Sequence, residues 1–212
     1  MKKKVVYALV VDKSGSMADI QSEILMSLND RIKAIQKINE TTDKEVLVEL
    51  VAFNESVRRI LPLVKAKKLA QLKAPEYEVG GTTALYDALG STLERMYLTF
   101  GSDIEKGNCS VVIVVYTDGY ENASRMYSKQ VIREMLGKAN SMKNVEITMV
   151  GCDEETLLMA QEMNFKQNNV VRTSKDYLSA SMNMMDGYLA AFSNDEMPNF
   201  KSSYKDFDLD QE

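Results

Sequence analysis

Three short stretches of this chain carry small oxygen-bearing side chains, two of them directly after apolar runs. Asp12-Lys13-Ser14-Gly15-Ser16 follows the run 5–11. Gly80-Gly81-Thr82-Thr83 precedes Ala84-Leu85-Tyr86-Asp87-Ala88-Leu89. Thr117-Asp118-Gly119 follows the run 111–116. Asp12, Ser14, Ser16, Thr83 and Asp118 together offer two carboxylates and three hydroxyls. These are hard oxygen donors, a set that suits a small cation such as Mg²⁺ in near-octahedral order. Softer metals have no specific claim on it. Neutral hydroxyls fill positions without cancelling charge, so an ion held this way stays electrophilic. One position would be open to an outside carboxylate.

Each stretch alone has a plainer reading. Asp-x-Ser-Gly-Ser fits a strand-to-helix turn capped by Ser16. Thr82 or Thr83 fits a helix cap, and Asp118-Gly119 is a common turn pair. Their joint occurrence at the ends of elements favours the site.

The elements that must position them alternate. The runs 5–11 and 111–116 are continuously apolar, the mark of strands buried on both faces. Residues 18–38 place Ile20, Ile24, Leu25, Leu28, Ile32, Ile35 and Ile38 at helical spacing. Residues 45–53 alternate and predict a strand. Residues 57–63 predict its antiparallel partner at the sheet edge, joined through Asn54-Glu55. Helices are expected at 67–72, 84–100, 128–141 with Ser128 as cap, 154–163 and 175–191. Further strands are expected at 145–151 and 170–171.

Such alternation implies an α/β fold. A mostly parallel, doubly wound sheet would have one antiparallel edge strand and helices on both faces. Ligands then bind beyond the carboxyl ends of the strands, where strand order reverses. Asp12 and Asp118 both fall there if their strands are neighbours. The expected domain is 1–192. Residues 193–212 lack periodicity and carry Asp195, Glu196, Asp206, Asp208, Asp210 and Glu212, so they read as an acidic tail. A tail carboxylate could compete weakly for the open metal position. Met182, Met184 and Met185 on the last helix read as core. Glu121 and Asn122 read as solvated loop residues.

With 212 residues the chain suits one domain. Its net charge of −5 disfavours nucleic acid as a partner. Histidine is absent, which removes Ser-His-Asp and Cys-His catalysis and His-containing zinc sites. No Gly-x-Gly-x-x-Gly follows the first strand and no phosphate-binding Gly-x-x-x-x-Gly-Lys occurs. Lys2-Lys3-Lys4 and the run after it are too short for a signal peptide and lack a cleavage site. No segment is apolar enough for a membrane helix. The expected location is the cytoplasm. Cys109 and Cys152 would sit at opposite ends of neighbouring strands, reduced and unbridged.

These motifs resemble the von Willebrand factor A domain and its metal-ion-dependent adhesion site, over roughly residues 5–191. Asp12, Ser14 and Ser16 match the Asp-x-Ser-x-Ser loop, Thr83 the distant threonine, and Asp118 the aspartate of Thr-Asp-Gly. The doubled threonine is a departure that leaves Thr82 open as the match. The segment 117–124 with Tyr127 resembles small, cytoplasmic-type bacterial members. The resemblance implies strand order 3-2-1-4-5-6. It implies direct ligation of Mg²⁺ or Mn²⁺ by Ser14, Ser16 and Thr83, with Asp12 and Asp118 acting directly or through water. It also implies a protein partner that supplies an Asp or Glu carboxylate, and no catalysis. The alternative is a Mg²⁺-dependent phosphohydrolase similar to haloacid dehalogenases in topology. That family's second aspartate is here Ser14. A third reading is a domain whose site has lost ligand function.

Overall fold

The computed structural model describes residues 2–152, 154–178, 181–182, 189–190 and 193. Its strands are β1 (Lys4–Asp12), β2 (Glu45–Phe53), β3 (Val57–Lys65), β4 (Cys109–Thr117), β5 (Val145–Gly151) and β6 (Val170–Arg172). They form one sheet in the order β3-β2-β1-β4-β5-β6. Only the edge pair β2–β3 is antiparallel. The helices are α1 (Gln21–Thr41), α2 (Leu85–Glu105), α3 (Lys129–Asn140) and α4 (Glu154–Glu162).

β1 is the centre of the fold because it is apolar on both faces. Val5, Tyr7, Leu9 and Val11 pack with α1 on one side. Val6, Ala8 and Val10 pack with α2 and α3 on the other. Chain order reverses across β1, with β2 on one side and β4 on the other. Val11 lies opposite Tyr116. The next residues, Asp12 and Thr117, are therefore level at the carboxyl edge, where the crevice of an α/β sheet opens.

Three expectations change. Residues 67–72 do not form a helix: a 3₁₀ turn covers Ala66–Lys68 and the chain then runs without helix to the turn Ala74–Glu76. So short a helix is costly to nucleate. Side chains of α1 satisfy the backbone instead. Asn29 donates to Leu72 O at 3.1 Å and accepts from Leu72 N at 2.7 Å, and Gln36 donates to Leu69 O at 3.1 Å. The first long helix opens with a 3₁₀ segment, Gly15–Ile20, before α1. α2 continues to Glu105, beyond its expected end at residue 100.

The last helix begins after a 3₁₀ turn, Lys175–Tyr177. Leu178, Ser181, Met182, Leu189, Ala190 and Ser193 are helical, and Met182 is buried. The hydroxyl of Tyr7 donates to Leu189 O at 2.7 Å and meets Ser193 Oγ. Ser193, which opens the expected tail, is thus buried against the central strand. Met184, Met185 and residues 194–212, with their acidic side chains, lie outside the described residues. Cys109 starts β4 and Cys152 follows β5, and they form no disulfide. Among the described residues no helix is long and apolar enough to cross a membrane.

Candidate metal centre

The loop after β1 folds back on itself around Asp12. Its carboxylate accepts from Ser14 N at 2.7 Å through Oδ1 and from Thr117 Oγ1 at 2.6 Å through Oδ2. Asp12 is fully buried, and burial pushes its carboxyl up to about 6 against these hydrogen bonds, with the charge of Asp118 adding to the rise. Tyr77 donates its hydroxyl to Asp12 O. Burial, and then the charges of Asp12 and Asp118, keep that phenol protonated far above its ordinary range.

From this anchor a chain of oxygens runs outward. Ser14 Oγ and Ser16 Oγ are 3.0 Å apart, and Ser16 Oγ donates to Asp118 Oδ1 at 2.6 Å. Ser16 therefore does not cap a helix. Gly119 lies under the same atoms: a Cβ built there would sit 3.5 Å from Ser16 Oγ and 3.6 Å from Thr83 Oγ1. Thr83 is buried and its hydroxyl faces the site, whereas Thr82 is exposed. Neither threonine caps α2. Ala84 holds the cap position without a side-chain hydrogen bond. The structure thus brings Asp12, Ser14, Ser16, Thr83 and Asp118 to one place.

Hydrogen bonds lace the three loops together. Gly80 N donates to Lys13 O at 2.8 Å and Gly15 N to Gly81 O at 3.0 Å. Gly81 has φ +78°, and a Cβ there would collide with the Glu55 carboxylate at 1.7 Å. Asn54 from the β2–β3 turn donates to Gly80 O at 2.9 Å and accepts from Ala84 N at 2.7 Å through its own carbonyl.

Glu121 and Asn122, expected as solvated loop residues, form a clasp. Asn122 Oδ1 accepts from Thr83 N at 2.8 Å, and Thr83 O accepts from Asn122 N and Ala123 N. Glu121 Oε2 accepts from Tyr86 N at 2.8 Å, and Ser124 Oγ accepts from Asp87 N at 3.0 Å. The loop after β4 thereby satisfies first-turn amides of α2 that local residues leave open. Asp87 answers by accepting from Arg125 N, Met126 N and Tyr127 N at 2.8–2.9 Å.

Sequence reasoning missed Thr117, Tyr77 and Lys175. The signal for Thr117 was a hydroxyl ending a fully buried strand beside Asp118. Tyr77 and Lys175 gave none. Lys175 Nζ donates to Ser16 O and lies 3.3 Å from Asp19 Oδ2 and 3.6 Å from Asp118 Oδ2.

The family model for the von Willebrand factor type A domain matches residues 8–184. The chain belongs to the von Willebrand factor type A family. Solved structures show the same fold. The PilB minor pilin from Streptococcus sanguinis has a TM-score of 0.65 at 12% identity, covering 93% of this chain and 64% of that one. The ArnB paralog VWA2 from Sulfolobus acidocaldarius has a TM-score of 0.60 at 16% identity, covering 87% and 45%. A von Willebrand factor type A protein from Catenulispora acidiphila has a TM-score of 0.58 at 18% identity, covering 90% and 43%. The chain spans less than two thirds of the length of each of these. No curated protein sequence matches it.

The donor geometry of this von Willebrand factor A domain fits a small hard cation. Adjacent donors around octahedral Mg²⁺ lie about 2.9 Å apart. The Ser14–Ser16 and Ser16–Asp118 oxygen separations of 3.0 and 2.6 Å bracket that value. The absent Cβ of Gly119 keeps room beside two of the hydroxyls. Among the described residues no group of three or more His, Cys, Asp or Glu side chains is placed to hold a metal ion.

Proposed function

We propose that the chain is a divalent-metal-dependent protein-binding module. Asp12, Ser14, Ser16, Thr83 and Asp118 would hold Mg²⁺ or Mn²⁺. The ion, when bound, would supply an electrophilic position for an Asp or Glu carboxylate of a protein partner. The observation that carries this reading is the run of closely spaced oxygens from Ser14 through Ser16 to Asp118, flanked by the Thr83 hydroxyl. Family membership supports it, since von Willebrand factor A domains are in general metal-dependent interaction modules. The net charge of −5 favours a protein over a nucleic acid partner.

The phosphohydrolase reading has less support. Both oxygens of Asp12 are tied back, to Ser14 N and Thr117 Oγ1, and the side chain is buried. The position of the second aspartate of that pattern is Ser14, which is no general acid or base for phosphoryl transfer.

Two measurements test the proposal. Calorimetry with Mg²⁺ and Mn²⁺ should give one site in the wild type and none in Ser14→Ala. A carboxylate-bearing bait, such as an immobilised acidic peptide library, should retain the protein with Mg²⁺ and release it with chelator. Absence of metal-dependent heat, or retention indifferent to chelator, refutes it.

A further inference from the structure

The site carries a cation of its own. Lys175 belongs to the turn Lys175–Tyr177, which links β6 to the last helix. Its ammonium donates to Ser16 O, pairs with Asp19 at 3.3 Å and stands 3.6 Å from Asp118 Oδ2. The two oxygens of Asp118 are thus divided. Oδ1 takes the Ser16 hydroxyl and Oδ2 faces the ammonium. The Lys175–Asp19 pair alone gives no reason for this placement, because Asp19 is 87% exposed and such pairs contribute little. Asp118 does, since its side chain is only 4% exposed and its charge lacks solvent.

We propose that Lys175 is a tethered counter-ion that holds the acidic face of the metal site in the metal-free state and is expelled when a divalent ion binds. This rests on the metal-binding reading above. Two cations cannot both lie against Asp118 without mutual repulsion. The ammonium is a compact point charge on a flexible stem, so it can leave without unfolding anything. Its departure releases Ser16 O and Asp19 as well. Lys175 therefore lowers metal affinity. It also couples metal loading to the turn whose next residue, Leu178, is buried in the core.

The test uses the full chain and Mn²⁺ in calorimetry at moderate salt. Lys175→Met keeps the apolar stem and removes the charge. It should bind Mn²⁺ about tenfold more tightly, the equivalent of one ion pair no longer displaced. Lys175→Arg should stay within about threefold of wild type, because it keeps the charge. A purely structural role for Lys175 predicts equal or weaker binding in Lys175→Met. As a second readout, amine acylation followed by mass spectrometry should label Lys175 slowly in chelator and faster with Mn²⁺. Exposed Lys68 serves as the internal reference. Unchanged or weaker affinity in Lys175→Met, or labelling of Lys175 that ignores Mn²⁺, overturns the proposal. No Mn²⁺ binding in either protein instead overturns the metal reading itself.

Discussion

Asp12 makes an unusual demand on the metal-free fold, and replacing it with Asn should show how large. Burial pushes its carboxyl up from the ordinary 3.8 to about 6. A carboxyl whose pKa is raised by folding favours the fold when protonated. The metal-free protein should therefore be most stable at low pH with respect to this group. It should lose stability as pH rises from about 4 to about 6.5 and keep that deficit above. Each pKa unit is worth about 1.4 kcal/mol, so at pH 7.5 the ionised carboxylate costs the metal-free fold about 3 kcal/mol. Asp12→Asn removes the charge and keeps the shape. Its Oδ1 can still accept from Ser14 N, and its amide can donate to Thr117 Oγ1, whose own proton turns to Gly119 O at 3.2 Å. In chelator at pH 7.5 the variant should melt roughly 6–12 °C above wild type, at about 2–4 °C per kcal/mol for a chain of this size. Its melting point should also lack the wild type's fall between pH 4 and 6.5. With Mg²⁺ the order should close or reverse, because ion binding raises the wild type alone. Calorimetric melts across pH, with and without Mg²⁺, decide it. An Asp12→Asn protein that is less stable than wild type in chelator, with the same pH profile, refutes the reasoning.

Two further outcomes follow from the same geometry. Asp87→Ala leaves the Arg125, Met126 and Tyr127 amides without their carboxylate in a nearly buried setting; it should cost about 2–4 kcal/mol in urea unfolding, and a cost below about 1 kcal/mol would show that water replaces the carboxylate freely. In native protein at pH 8, iodoacetamide should modify half-buried Cys152 and spare Cys109, whose thiol is buried and pushed up to about 12; peptide mapping that finds equal rates would count against this.

The interior place of β1 and β4 was legible because both are apolar on both faces, whereas the order of the six strands came from the family resemblance. Once they are neighbours, Asp12 and Asp118 must meet. Ser14 and Ser16 share the loop of Asp12, whereas Thr83 lies on a separate segment and was matched through the resemblance. What stayed hidden depends on long-range partners. The clasp by Glu121 and Asn122 serves amides of α2, and nothing in the local sequence around 121 shows that those amides lack partners. The segment 66–73 has helical composition, but Asn29 and Gln36 satisfy its backbone from another element. Tyr77 and Lys175 reach the site from segments whose own pattern is weak. Ser193 looked like the start of a tail because a single buried hydroxyl leaves no periodic trace.

The two carboxylates of the site are managed by different means, and this bears on how an ion would load. Asp12 is buried at a cost and pinned by Ser14 N and Thr117 Oγ1, so its orientation is fixed without an ion. Asp118 is neutralised from outside by Lys175. The loops that carry them are held by Gly80–Lys13, Gly15–Gly81, Asn54 and Asn122 contacts, none of which needs an ion. On the proposed reading, loading would require no refolding, and affinity would not be drained by ordering the loops. The opposing terms are local. Relief of the Asp12 charge favours the ion, and displacement of the Lys175 ammonium resists it. Because these terms act through different carboxylates, affinity can be raised or lowered at Lys175 without disturbing the buried anchor at Asp12.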